Sequence, residues 1–210
     1  VTGQQPGLAC GPLYSVWKGI QAVAVARKLS EEWGTPVVPM FWNHADDHDI
    51  AEVHHTWLMN RNLDLQRVGL AGMSSGRQPF SRIILDEEVN KPAAFAALMR
   101  QIHGDYPYVD EAVEALAPRA GESVAHSFTR GMTALLGHHG LVVFEPDWIR
   151  DDLSASLARI VGGEAPAALT GGEADLAQAG HEVALPSSEA ALVYRVGPDG
   201  RRPLRPGGEG

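Results

Sequence analysis

A single cysteine, Cys10, in 210 residues rules out an internal disulfide, so nothing in the chain asks for an oxidising compartment. No run of about 18 apolar residues occurs, so no membrane-spanning helix can be read from it. Basic residues are outnumbered, 17 against 26 acidic, and the net charge of −9 argues against nonspecific nucleic-acid binding, which selects basic surfaces. A nucleotide is still allowed, because it needs only local donors. Lysine is scarce: Lys18, Lys28 and Lys91 stand beside fourteen arginines. An initiator methionine and a basic-then-apolar leader are missing too, and the first residues already read as strand. The expectation is a piece of a longer protein. With 44% hydrophobic and 20% charged residues the chain can build a real core, and the default reading is a soluble cytoplasmic enzyme.

Apolar spacing predicts a helix from Leu13 to about Leu29 through Leu13, Val16, Trp17, Ile20, Val23, Ala24 and Leu29, with Pro12 in its first turn. Gly34-Thr35-Pro36 ends it, and Val37 to Trp42 is a continuous apolar run suited to a strand covered on both faces. Strand, helix and strand make a βαβ unit with a right-handed crossover. Beyond it, a short helix passes into a strand near Val53–Leu58, Gly69–Pro79 is loop, and Arg82–Leu85 is a candidate strand. Helices are expected at about 92–103 and about 110–137, with a break at Gly121. His138 and His139 cap the second, and Leu141–Phe144 is another buried strand. Ala155–Ala179 is weakly helical, and Ala191–Val196 enters a tight turn at Gly197-Pro198-Asp199-Gly200. The last ten residues are expected to return as a fraying strand. The fold class is α/β. Residues 1–150 hold a parallel-sheet core with a helical segment at about 92–137, and 151–210 a connecting segment and the start of a second, hairpin-containing module.

Two strings carry the chemistry. The first, Thr2-Gly3-Gln4-Gln5-Pro6-Gly7-Leu8-Ala9-Cys10-Gly11-Pro12-Leu13-Tyr14, reads as a strand end, a glycine-rich turn and a helix start. Free N–H groups there carry partial positive charge and suit an anion. Gly7 and Gly11 let the backbone pass close beneath a ligand, Gln4 and Gln5 add donors, and Lys18 lies about one and a half turns into the helix. It matches neither the P-loop nor the dinucleotide fingerprint. The competing reading is an ordinary tight connection with Lys18 solvated and Cys10 structural.

The second string runs from Phe41 to His55 and contains Asp46-Asp47-His48-Asp49, Glu52 and His54-His55. A helix beginning at Asp46 or Asp47 puts His48, Glu52 and His55 on one face. That face suits a divalent metal, an acid–base pair or a polar substrate. Capping explains one or two of the acids but not three acids and a histidine in four positions. Glu145 and Asp147, after the later strand, are candidates to complete the site. His103, His126 and His181 stand alone.

These two strings, with Gly140-Leu141-Val142-Val143-Phe144-Glu145-Pro146 and more faintly Gly180-His181-Glu182-Val183, resemble the bacillithiol biosynthesis cysteine-adding enzyme family. The resemblance spans most of the chain. It implies a Rossmann-like, nucleotidyltransferase-like core, incomplete within this chain, and a ligase joining cysteine to glucosaminyl-malate with ATP and Mg2+. It further implies a longer protein that dimerises through a C-terminal coiled coil. In that reading Asp47, His48, Asp49 and His55 are catalytic. Thr2, Gly3, Gln4, Gln5, Gly11, Pro12, Tyr14, Lys18 and Glu52 hold nucleotide or substrate. Asp46 replaces the family's usual Glu, His54 its usual Asn, and Asn43-His44 an apolar pair. The added histidines keep Asp47, Asp49 and His54 as metal candidates. Two alternatives therefore stand beside the ligase: a metal-dependent hydrolase built on Asp47, His48, Asp49 and His55, and a catalytically incomplete nucleotide-binding fragment.

Overall fold

The computed structural model describes residues 1–73, 76–163, 165–184, 186, 193–197 and 200–204. The chain divides into two units, Val1–Trp148 and Ile149–Gly210.

The first unit is built on β1 (Thr2–Gln4), α1 (Leu13–Trp33) and β2 (Met40–Asn43). There follow α2 (Ile50–Val53), β3 (His55–Met59), β4 (Leu65–Gly69), α3 (Pro92–His103), α4 (Val109–Leu116), α5 (Val124–Leu136) and β5 (Val142–Phe144). Strands β1, β2 and β5 form a parallel sheet in the order β1-β2-β5, with Gln4 opposite Asn43 and Trp42 opposite Phe144. Both crossovers step in the same direction, so right-handed connections put α1 and α5 on one face of the sheet. Their packing agrees: a Cβ on Gly19 of α1 would lie 2.6 Å from Leu136 and 3.1 Å from Met132, both on α5.

Helix α1 begins after Pro12 and stops at Gly34, whose φ of 62° supplies the left-handed cap. Its buried side matches the apolar stripe expected from spacing only in part, at Val23. Ser15, Gly19, Val23 and Ala26 are buried, whereas Leu13, Trp17 and Ile20 are exposed. Small residues win because they let the helix approach α5 closely. Beneath it Phe41 and Phe128 meet at 5.6 Å within a cluster that includes Cys10, Met132, Leu136, Leu141 and Val143. Full burial of each ring is worth roughly 1.5–3 kcal/mol. On the opposite face of the sheet Trp42 and Phe144 stack at 5.2 Å.

A second cluster, including Leu8, Ile50, Val53, Val68, Phe80, Phe95, Met99 and Val113, lies beneath the antiparallel β3–β4 hairpin and α2–α4. Strand β4 carries little alternation and has no counterpart in the expectations. Arg82–Leu85 is no strand: a single 3-10 turn covers Phe80–Arg82, and only Ile84 bridges to Ser123. The helical stretch at 110–137 is two helices, α4 and α5, and Gly121 between them takes a φ of 84°.

The second unit contains α6 (Arg150–Gly162), α7 (Ala165–Gln178) and an antiparallel hairpin of β6 (Val193–Gly197) and β7 (Gly200–Leu204). The expected returning strand is there as β7. Ala191, Leu192, Pro198, Asp199 and residues 205–210 lie outside the described residues. Among the described residues no helix is long and apolar enough to cross a membrane.

Candidate functional site

The carboxyl ends of β1 and β2 lie side by side, and the strings after them meet there. Gln5 Nε2 donates to Asp47 Oδ2 at 2.8 Å, across 42 residues of sequence. Asp47 Oδ1 accepts from the His48 backbone N–H at 2.8 Å and lies 3.6 Å from His48 Nδ1. That ring nitrogen is buried and has no hydrogen-bond partner. Gln5, Asp47 and His48 are thus gathered in one place.

Next to them is a cavity of about 460 Å³ lined by Gln4, Gln5, Gly7, Gly11, Pro12, Tyr14, Glu52 and Val53. It sits at the start of α1, whose Pro12 cap offers no side-chain hydrogen bond to the first N–H groups. Those N–H groups and the positive end of the helix suit an anion. Six of the residues expected to hold substrate therefore share one cavity: Gln4, Gln5, Gly11, Pro12, Tyr14 and Glu52. Thr2 does not join them, because it lines a separate cavity of about 320 Å³ with Val37, Val38 and Pro39.

Lys18 is exposed, and its ammonium is engaged by the chain itself. Its Nζ donates to Gln4 Oε1 at 2.8 Å and to the Gly3 carbonyl at 3.1 Å, tying α1 back to β1. The glycines have packing roles. A side chain on Gly7 would strike the Gly11 carbonyl, and a Cβ on Gly11 would sit 2.6 Å from Thr56 Oγ1. The left-handed residues of the turn are Ala9 and Cys10, with φ of 52° and 60°. Such conformations cost of order 1 kcal/mol or more outside glycine. Cys10 is buried, its Sγ donates to the Phe128 carbonyl, and burial pushes its thiol up to about 12 against a small opposing effect of Arg130.

The histidine–acid face expected on one helix does not form. Helix α2 is only Ile50–Val53, with Asp49 as its N-cap accepting from the Ala51 N–H at 3.1 Å. His48 precedes it and His55 already belongs to β3, so His48, Glu52 and His55 share no helical face. His54 closes the helix, its Nδ1 bonded to the Ile50 carbonyl at 2.8 Å. His55 packs edge-on against His54, and its pKa is lowered by burial first, then by Arg67 and His54. Among the described residues no group of three His, Cys, Asp or Glu is placed to hold a metal ion. The ligand set on which the metal-dependent hydrolase reading drew, Asp47, His48, Asp49 and His55, is not gathered into such a group.

Single-residue reading passed over His126. The structure sets its Nδ1 3.6 Å from Glu145, just beyond β5. The available signal was a Ser123 cap with His at the third helical position, followed by a strand ending in Glu145-Pro146.

The described geometry agrees with what the chain resembles. Residues 1–203 match the family model for bacillithiol biosynthesis BshC, N-terminal Rossmann-like domain. The chain belongs to the BshC family. It is 33% identical over 207 residues to a Koribacter versatilis protein named "Putative cysteine ligase BshC", covering 96% of this chain and 38% of that protein. Proteins of the same name from Desulforamulus reducens and Solibacter usitatus are each 33% identical over 70% of this chain, which covers 26% and 27% of their lengths. The chain thus spans well under half the length of these relatives. Its Rossmann-like assignment fits the parallel β1-β2-β5 sheet with helical crossovers.

Proposed function

We propose that this chain is the Rossmann-like part of an ATP-dependent ligase that joins cysteine to glucosaminyl-malate in bacillithiol biosynthesis. The observation that carries the reading is the Gln5–Asp47 hydrogen bond, which brings the two family strings to the same end of the sheet. In open α/β sheets ligands bind outside the carboxyl ends of the strands. Membership of the BshC family supports a ligase, and the name "Putative cysteine ligase BshC" carried by its relatives favours cysteine as a substrate.

The residues present fit a nucleotide. The uncapped start of α1 offers N–H donors to phosphate oxygens, and the amides of Gln4 and Gln5 stand beside them. Mg2+ takes one or two carboxylates together with phosphate oxygens, so Asp47 alone meets its usual demand on protein. ATP, when bound, supplies the activation that amide formation from a carboxylate needs. Gln5 holds the Asp47 carboxylate in place, and Asp47 in turn faces the buried Nδ1 of His48, an arrangement that favours hydrogen on Nδ1 and leaves Nε2 to bond a substrate group. Tyr14 and Glu52 border the same cavity and shape its mouth.

The test uses the complete protein. Incubation with cysteine, ATP, Mg2+ and glucosaminyl-malate should give a new mass equal to the condensed cysteinyl conjugate, dependent on ATP and lost in His48→Ala. A folded wild-type protein that binds ATP yet forms no conjugate refutes the substrate assignment.

A further inference from the structure

Glu145 follows β5 and is 5% exposed, and its Oε1 is buried without a hydrogen-bond partner. An unmet acceptor in a protein interior costs about 1–3 kcal/mol, more when charged. The group that faces it is His126 Nδ1 at 3.6 Å, on a side chain that is 54% exposed. One partner is sheltered and the other reaches solvent.

Their place in the sheet is equally specific. Gln4 is opposite Asn43, and Trp42 is opposite Phe144, so Gln4, Asn43 and Glu145 stand at one level of the carboxyl edge. Residues at one level of a parallel sheet share a face. Asn43 donates to the Ala125 carbonyl and to Thr129 Oγ1 on α5, while Gln4 accepts from Lys18 on α1. His126 is in the first turn of that same α5. At the sheet edge Glu145 therefore lies two strand spacings, about 10 Å, from the end of β1.

We infer that His126 and Glu145 form an imidazole–carboxylate dyad in which His126 is the general base for the amine nucleophile and Glu145 is a positioning residue. The inference rests on the ligase reading. A carboxylate facing Nδ1 selects the tautomer with hydrogen on that nitrogen, which leaves the Nε2 lone pair free. One N–H bond of the substrate ammonium breaks and its proton passes to Nε2. The amine keeps the electron pair with which it attacks the ATP-activated acyl carbon. The C–N bond forms as the acyl–oxygen bond to phosphate breaks, and the phosphate or nucleotide leaves with that bond's electron pair. The second N–H proton goes to water, and the imidazolium retains its Nδ1–H toward Glu145. The 3.6 Å gap exceeds a hydrogen bond, as catalytic hydrogen bonds often do before substrate binds.

The test compares wild type, His126→Ala, His126→Asn and Glu145→Gln in the complete protein, reading conjugate formation. His126→Ala should lower kcat by roughly 10²–10⁴-fold with a much smaller change in KM for cysteine. Free imidazole should restore roughly tenfold of that loss, a rescue that a merely structural histidine does not show. Glu145→Gln should lower kcat and retain its activity through His126, so imidazole leaves it unchanged. His126→Asn carries the measurement if the alanine variant unfolds. Wild-type rates in both His126 variants, or a folded His126→Ala that imidazole does not rescue, overturn the dyad while the ligase reading stands. A wild-type protein that forms no conjugate overturns the ligase reading and the base assigned to it together.

Discussion

Replacing Gly7 by alanine tests whether the glycine-rich turn is held by its own packing. The added methyl would collide with the Gly11 carbonyl, and backbone on both sides leaves no flexible side chain to move aside. The turn is already strained at Ala9 and Cys10, so it has little freedom to absorb a shift. Overpacking of this kind costs about 3 kcal/mol, the upper part of the usual range. In a unit of this size that lowers the melting temperature by roughly 6–12 °C. Gly11→Ala is the informative companion. Its clash is with Thr56 Oγ1 at 2.6 Å, and the next Thr56 atom is at an ordinary 3.4 Å. Thr56→Ala should therefore recover part of the loss in Gly11→Ala, with a coupling of about 1–2 kcal/mol, and recover nothing in Gly7→Ala. Calorimetric melting of the complete protein reads all five variants. Gly7→Ala melting with the wild type, or Thr56→Ala rescuing both glycine variants equally, would refute the reasoning.

Two further outcomes follow from the buried titratable groups. Burial raises the Cys10 thiol from 9.0 to about 12, so at pH 8 it carries roughly a thousandfold less thiolate than a free thiol, and alkylation should be slow until denaturant is added. The neutral thiol supports the fold fully below pH 9, and that contribution is lost as pH rises from 9 toward 12; fast labelling of the native protein would contradict the buried placement. His55 shifts the opposite way: its lowered folded-state pKa means the unfolded chain binds the extra proton first, so its contribution is present above about pH 6.5 and is lost as pH falls below that value. Melting temperatures between pH 7 and pH 5 should fall less steeply in His55→Asn than in the wild type, and parallel curves would remove His55 from the balance.

The strands and the long helices were legible because their signals are local. Val37–Trp42 and Leu141–Phe144 are apolar without alternation, and each ends as a strand in a parallel sheet. Pro92 through His103 has apolar residues on one side and a Gly104 stop, and α3 has those bounds. The orientation of α1 was not legible. Val23 is buried as its spacing predicts, but Leu13, Trp17 and Ile20, more hydrophobic than the buried Ser15, Gly19 and Ala26, are exposed. What decides is how closely α5 must approach, and that distance is set by residues more than a hundred positions away. Strand β4 was hidden for a related reason. Leu65, Gln66, Arg67 and Gly69 are all exposed, and only Val68 is buried, so no period of two is written there.

The short helix after β2 shows how much of a motif belongs to the fold itself. Asp49 caps α2, His54 bonds the Ile50 carbonyl, and Lys18 bonds Gln4, while Gly7 and Gly11 are required by one another and by Thr56. A dense string of chemically able residues invites a catalytic role for each. Most of these are instead engaged in holding two connections against each other at one edge of the sheet. What remains after those demands is smaller: Gln5 with Asp47, the unpartnered Nδ1 of His48, the open start of α1, and the Tyr14 and Glu52 side of the cavity. A variant at Gly7 and a variant at His48 would both abolish product, for different reasons. Melting separates them, because loss of His48 removes a half-exposed side chain with no ring hydrogen bond at Nδ1, whereas an added methyl at Gly7 breaks the turn on which the cavity is built.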